Sequence, residues 1–83
     1  MTAGIRVRSV AASDVNFEIY LFNYGPAEVL VEYEFTLMSA SGLDRLERES
    51  SERVDSNEEV VIESFSRPHM SVTRMQARVV VQP

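Results

Sequence analysis

The sequence predicts an all-β domain of six to seven short strands, packed as two antiparallel sheets. Apolar and polar residues alternate with a period of two along most of the chain. Turn residues recur about every ten positions, and no segment has an unambiguous helical pattern. Because each sheet of a sandwich buries one face, one-sided alternation is the pattern that this fold requires. The 83 residues are expected to form one domain, 1–83.

Alternation also locates the strands and the core. We predict strands over 5–8, 15–22, 29–38, 59–65 and 72–81, with turns at 23–26, 39–42, 55–57 and 66–69. The third of these strands has the cleanest pattern and many β-branched or aromatic residues, which favour a pleated, half-buried surface. The predicted core residues are Phe17, Ile19, Leu21, Val31, Tyr33, Phe35, Ile62, Met75, Ala77 and Val79. Val81 falls on the same face of the last strand.

The charge-rich segment after the third strand fits two secondary structures. Leu46, Ser50 and Val54 lie at helical spacing, which favours an α+β meander with one helix at 42–54. The charges of 47–54 instead favour an exposed edge strand, because charged residues discourage edge-to-edge association. The sequence leaves both alternatives open.

Composition excludes several classes of partner and site. The net charge is −5, from 13 acidic residues and eight basic ones, all of them arginine. Nucleic acids and anionic membranes reward clustered positive charge, so neither is the expected partner. Without cysteine the chain has no disulfides and no thiolate metal site. No apolar run reaches the ~18 residues of a membrane span, so we expect no membrane insertion.

Catalysis has few candidate residues. His69 is the only histidine, and it stands in a loop beside proline. As a general base it needs a nucleophile and an orienting acid. Ser66 and Ser71 are near in sequence, but no nucleophile-elbow pattern surrounds either of them. We therefore expect a protein that is not an enzyme and has no catalytic residues.

Carboxylates are the only other groups that could form a site. Asp55, Glu58 and Glu59 do not have the spacing of an EF-hand calcium loop. Glu32 and Glu34 project from one strand face about 7 Å apart, which imitates a paired-carboxylate site. On an exposed face such a pair is usually solvated charge. We expect no metal and no cofactor.

Binding is the remaining possibility, and the sequence suggests a surface for it. The candidate partner-binding residues are Glu28, Leu30, Glu32 and Glu34 on the third strand and Arg74 and Arg78 on the last. If the two strands are neighbours, the side chains either neutralise each other as cross-strand pairs or form an amphipathic face that captures an extended chain.

Two aromatic residues lie on the face opposite the core side of the second strand. Tyr20 and Phe22 either complete a second buried layer or form an exposed aromatic patch.

The second half of the chain carries a further pattern. It comprises Ser-Ala-Ser-Gly at 39–42, a charged segment, the turn at 55–57, Val-Val-Ile at 60–62, Arg-Pro-His at 67–69 and the strand at 75–81. In size, in strand spacing and in this half of the chain, residues 15–81 resemble the curli-assembly periplasmic chaperones that inhibit amyloid formation.

The resemblance implies an immunoglobulin-like sandwich that keeps secreted amyloid subunits soluble in the periplasm. Its partner would be a protein, an extended amyloidogenic subunit, and the domain would act as a monomer. Some members of that family carry a Cys-x-Cys pair that is missing here, so no redox role and no functional residue is carried over.

Two general questions stay open at this point. The alternative function is that of a structural or adhesion-type immunoglobulin-like module that binds a folded partner or itself. Residues 1–4 have neither the basic nor the apolar region of a secretory signal, so the chain is either cytosolic or has had a signal removed.

Overall fold

A computed structural model describes residues 2–80, and every regular element in them is a strand. The strands are β1 (Ala3–Ser9), β2 (Asn16–Asn23), β3 (Val29–Ser39), β4 (Arg45–Val54), β5 (Glu58–Ser66) and β6 (Met70–Val80). They form two antiparallel sheets, sheet 1 in the order β1-β2-β5 and sheet 2 in the order β4-β3-β6. The predicted all-β class with two antiparallel sheets is confirmed. Val81, assigned above to the last strand, lies outside the described residues.

The helix considered at 42–54 is wrong, because this segment forms strand β4. β4 pairs with β3 along its whole length, with Leu46 opposite Leu37 and Val54 opposite Val29. The inner face of β4 is apolar only at these two ends, since Arg48, Ser50 and Glu52 lie between them. Two apolar residues eight positions apart fit both a helix and a strand. The edge position of β4 in sheet 2 explains why its middle can be polar.

The core lies between the two sheets. Its buried cluster consists of Ile19, Leu21, Val31, Tyr33, Phe35, Leu37, Val54 and Phe65. Half-buried side chains pack around it, among them the predicted core residues Phe17, Ile62, Met75 and Ala77. Val79 is half-buried as well. The alternation thus identified the core face of β2, β3, β5 and β6 correctly.

A buried asparagine fixes the crossing from sheet 1 to sheet 2. The side-chain amide of Asn23 donates to the carbonyl oxygens of Ala27 at 2.8 Å and of Val54 at 2.9 Å. Its Oδ1 atom accepts the backbone N–H of Gly25 at 3.0 Å. Asn23 is only 1% exposed. One side chain therefore satisfies three backbone groups and joins the end of β2 to the end of β4.

A second link joins the sheets along the edge formed by β4 and β5. The register between β2 and β5 skips Ile62, which is the extra residue of a β-bulge. The guanidinium of Arg48 donates to the carbonyl oxygen of Ile62 at 2.6 Å and to the Glu63 carboxylate at 2.8 Å. Arg48 thus points inward from an edge strand, and its charge is paired within the gap between the sheets.

Candidate binding surface

The structure places five of the six candidate binding residues on one surface, the outer face of sheet 2, formed by the outward side chains of β4, β3 and β6. The sixth, Glu28, lies just before β3. β3 and β6 are neighbours, as the binding hypothesis requires, and Glu32 lies opposite Arg78 in their register. Glu34 lies opposite Gln76, and Arg74 is one step further along opposite Thr36. The acidic residues of β3 and the basic residues of β6 are therefore side by side.

Ion pairs join these neighbours across the strands. The Nη2 atom of Arg78 lies 2.6 Å from Oε1 of Glu32, and the Nη2 atom of Arg74 lies 2.7 Å from Oε1 of Glu34. The Glu34 carboxylate also accepts a hydrogen bond from Gln76. Solvent-exposed pairs of this kind contribute about 0–1 kcal/mol to stability. The pairs neutralise the surface locally and add little to the stability of the fold.

The other two candidates belong to the side of the surface that adjoins β4. Glu28 pairs with Arg53 at 3.1 Å and forms no ion pair with Arg74 or Arg78. Leu30 is half-buried between Arg53 on one side and Val80 on the other. Glu28 therefore pairs with β4, whereas Glu32 and Glu34 pair with β6.

The middle of the outer face of sheet 2 is concave. A shallow depression of about 720 Å³ lies over the centres of all three strands, with Glu32, Glu34, Glu49, Gln76 and Arg78 among its lining residues. Within residues 2–80, Glu49 forms no ion pair, so one carboxylate here is uncompensated. The depression is polar, open to solvent and mixed in sign, which suits an extended polar chain better than a small apolar ligand.

The residues considered for catalysis are not assembled into a site. His69 is exposed in the turn between β5 and β6. The hydroxyl of Ser66 donates to Oδ1 of Asn16 at 2.9 Å. Glu59, considered as a calcium ligand, is held by Arg8 and Tyr24 on sheet 1. No group of three or more His, Asp or Glu side chains within residues 2–80 is placed to hold a metal ion. The same residues include no helix long and apolar enough to cross a membrane.

A second surface, the outer face of sheet 1, carries the two aromatic residues for which the sequence left a buried layer and an exposed patch open. Tyr20 and Phe22 are 7% and 3% exposed, so they are buried although they face away from the core. Arginine side chains from β1 cover them. The guanidinium carbon of Arg6 lies 4.3 Å from the centre of the Phe22 ring, and that of Arg8 lies 4.1 Å from the centre of the Tyr20 ring. These distances fit cation–π contacts, and the long arginine stems shield the rings from water.

Hydrogen bonds fix this arginine cover in place. Arg8 contacts Oε1 of Glu18 at 2.7 Å and Oε1 of Glu59 at 2.5 Å, and the Tyr24 hydroxyl donates to the other Glu59 oxygen at 2.6 Å. The hydrogen bonds from Tyr24 and then Arg8 lower the pKa of Glu59 below its ordinary value. The hydrogen bond to Glu59 raises the pKa of Tyr24, and the bonds to Glu59 and Glu18 raise the pKa of Arg8. Glu59 therefore carries a charge at neutral pH and orders this face.

Comparison with known proteins returns no relative. No protein-family model, no curated protein and no solved structure matches the chain. The resemblance to curli-assembly chaperones stays a prediction.

Proposed function

We propose that this domain is a non-catalytic binding protein that slows the assembly of a curli-type amyloid subunit through transient contacts with the extended polypeptide. The contact surface is the outer face of sheet 2. Its proposed contact residues are Glu28, Leu30, Glu32, Glu34, Arg74 and Arg78. The proposed compartment, the periplasm, and the proposed monomeric state rest on the family resemblance.

The observation that carries this proposal is the exposure of the ion pairs on the outer face of sheet 2. The side chains of Arg74 and Arg78 are 64% and 79% exposed, while their partners on β3 are less exposed. Because an exposed pair is worth at most about 1 kcal/mol, either arginine can leave its glutamate for a carboxylate on a passing chain. Such exchange gives short-lived contacts that require a negative charge on the partner chain.

The strand order supports a more specific description of the fold. In a variable-type immunoglobulin sandwich, strands A, B and E share one sheet, and C′, C, F and G share the other. We infer that β1, β2 and β5 correspond to A, B and E, and that β4, β3 and β6 correspond to C′, C and F. No strand in the position of G, beyond β6, occurs within residues 2–80.

Thioflavin-monitored assembly of a curli-type subunit tests the proposed function. The wild-type domain is expected to delay assembly at far below equimolar dosage, and less so at high salt, because the Debye length falls from about 10 Å at 0.1 M to about 3 Å at 1 M. The variant Arg74→Glu/Arg78→Glu should lose the delay at low salt. Equal delay by both proteins would remove this surface from the mechanism, and no delay by the wild type would remove the chaperone function.

Two matched controls distinguish an effect of this surface on assembly from an effect of net charge and from an effect of ion pairing. Arg6→Glu/Arg67→Glu makes the same change in net charge away from the outer face of sheet 2, and should keep the delay once its fold is verified by circular dichroism. Glu32→Arg/Arg78→Glu exchanges the members of one ion pair at constant net charge. Loss of delay in the first control would show that net charge alone is responsible.

A further inference from the structure

The four edge strands differ in how readily they could accept another strand. β4 carries inward-pointing Arg48 and six charged residues in ten, both devices that discourage strand addition. β5 is bulged at Ile62, which interrupts its ladder. β1 keeps an unbroken register with β2, but its two arginines already contact aromatic rings and glutamates on sheet 1. The edges of β4, β5 and β1 are therefore less suited to a further, acidic strand.

β6 is the exception. It has eleven residues, and from Arg74 to Val80 it keeps an unbroken register with β3. Its one irregularity, the extra residue Thr73, lies before this stretch. Within residues 2–80, β6 pairs with β3 alone, so the backbone groups along its other edge have no strand partner. A regular edge of this kind is a template for β-strand addition.

Charge makes the free edge of β6 selective. β6 contains Arg74 and Arg78 and no acidic residue, in a chain whose net charge is −5. Arg74 and Arg78 are paired with glutamates of β3, but their side chains stay largely exposed. A carboxylate on an added strand can therefore still reach them, whereas a basic strand would be repelled.

The strand already paired with β6 shows which side-chain pattern fits. On β3, acidic Glu32 and Glu34 contact Arg78 and Arg74 on the outer face. Between them, Tyr33 lies opposite Ala77 on the core side. Met75, Ala77 and Val79 are only half-buried, so their core-side surface can still contact another apolar side chain. A ligand on the free edge would alternate acidic and apolar residues in the same way.

From these observations we infer that the free edge of β6, from Arg74 to Val80, binds an extended polypeptide of alternating acidic and apolar residues as an additional strand of sheet 2. The inference rests on the proposed function only in taking a polypeptide as the ligand, and it concerns the edge of the sheet instead of its outer face. A second copy of β6 is a poor occupant, since it would bring arginines against Arg74 and Arg78.

Binding of a fluorescent peptide of about eight residues, alternating Glu with Val or Tyr, tests the inference by anisotropy. Two further peptides carry N-methyl groups on alternate residues. In the first peptide the methyl groups block one edge of the extended chain, and in the second they block the opposite edge. Strand addition uses one edge, so one N-methylated peptide should bind on the order of tenfold or more weakly and the other like the parent. A peptide with Lys in place of Glu should also bind at least about tenfold more weakly.

Variants of the domain provide a matched pair around one core residue. Tyr33 lies opposite Ala77 on β6 and opposite Ser50 on β4, both on the inner side of an edge strand. Ala77→Lys places an inward charge on β6, as Arg48 does on β4, and should weaken peptide binding about tenfold or more. Ser50→Lys should leave it unchanged. Circular dichroism and thermal unfolding verify that both variants fold. The test with N-methylated peptides uses the wild-type domain and so does not depend on the variants.

The outcomes distinguish the edge site from the proposed function. Absence of peptide binding, equal binding of both N-methylated peptides, or unchanged binding by a folded Ala77→Lys variant would overturn the edge site. In the last two cases polypeptide binding by the outer face of sheet 2 would stand. If only one of the two N-methylated peptides binds weakly and the wild-type domain does not delay amyloid assembly, the edge site stands and the chaperone function fails.

Discussion

The guanidinium of Arg48 donates to the carbonyl oxygen of Ile62 at 2.6 Å, and so joins an edge strand of sheet 2 to the bulged residue of sheet 1. A bulge leaves its extra residue outside the regular ladder, and a partly buried carbonyl there needs a donor from elsewhere. Arg48 supplies that donor and pairs with Glu63 through its second nitrogen.

We expect Arg48→Ala to lower the free energy of unfolding by about 1–3 kcal/mol, because it removes the donor to Ile62 and the partner of Glu63. Urea denaturation followed by circular dichroism measures the change. The control is Arg45→Ala, which removes only an exposed pair with Glu47 and should cost less than about 0.5 kcal/mol. Equal losses in the two variants would contradict a role for Arg48 between the sheets.

Asn23→Ala should lower the free energy of unfolding by about 2–4 kcal/mol. The substitution leaves the carbonyls of Ala27 and Val54 and the N–H of Gly25 without their partner in a buried corner. The same denaturation experiment applies. Asn16→Ala is the control, since Asn16 is exposed and accepts one hydroxyl, and it should cost under about 1 kcal/mol. A small effect at Asn23 would mean that water replaces its hydrogen bonds.

Phe35→Ala should cost about 3–5 kcal/mol, enough to unfold much of the population of a domain this small. Phe35 is 1% exposed and is among the largest fully buried side chains. Loss of the β-sheet circular dichroism signal at room temperature is the expected observation. Val61→Ala, at a site that is 47% exposed, should keep the signal. A folded Phe35→Ala variant of near wild-type stability would refute the assigned core.

Stability should depend on pH through Glu59. Its folded-state pKa is lowered, chiefly by the hydrogen bonds from Tyr24 and Arg8, so its contribution is present above the unfolded value of 4.5 and is lost as pH falls through the lower folded value. Glu59→Gln should therefore be less stable than the wild type at pH 7, and the difference should shrink as the pH falls below 4.5. Unfolding at a series of pH values measures this. Glu58→Gln is the control, since within residues 2–80 Glu58 has no hydrogen bond to an arginine or tyrosine.

The Tyr24 phenol offers a spectroscopic test of the same contact. Its hydroxyl donates to Glu59, which raises the folded pKa above the ordinary 10.0. The associated stability is fully present below 10.0 and is lost as pH rises through the higher folded value. Ultraviolet difference titration of Tyr20→Phe/Tyr33→Phe, which keeps Tyr24 alone, should show the raised pKa. Adding Glu59→Gln should return it toward 10.0, and no change would contradict the contact.

The two central strands were predictable from the sequence because each buries one complete face. Alternation in β2 and β3 follows from that burial, and it located Leu21 and Phe35 in the core. The pairing of Glu32 with Arg78 could also be proposed, because opposite charges on neighbouring strands are a common way to occupy an exposed face.

The edge strands and the second aromatic layer needed the structure. On the inner face of β4, Arg48 donates to a carbonyl oxygen of the other sheet. A period-two pattern in the sequence does not reveal such a contact. The burial of Tyr20 and Phe22 depends on arginine stems from β1, not on another sheet of apolar residues. Alternation of Arg6 and Arg8 with Ile5 and Val7 shows which way the arginines point, but not that they lie on aromatic rings.

The central strands β2 and β3 each pair with one strand next in the chain and with one far away in it. Glu32 and Arg78, for example, are 46 positions apart. Such non-local closure carries a large loop entropy, so folding is expected on a millisecond-to-second timescale although the domain is small. The hairpins β1-β2 and β3-β4 are local, but β2 and β3 each keep an open edge until β5 and β6 pair with them. Until that closure the open edges can pair with another chain, so the domain is itself exposed to misassembly while it folds.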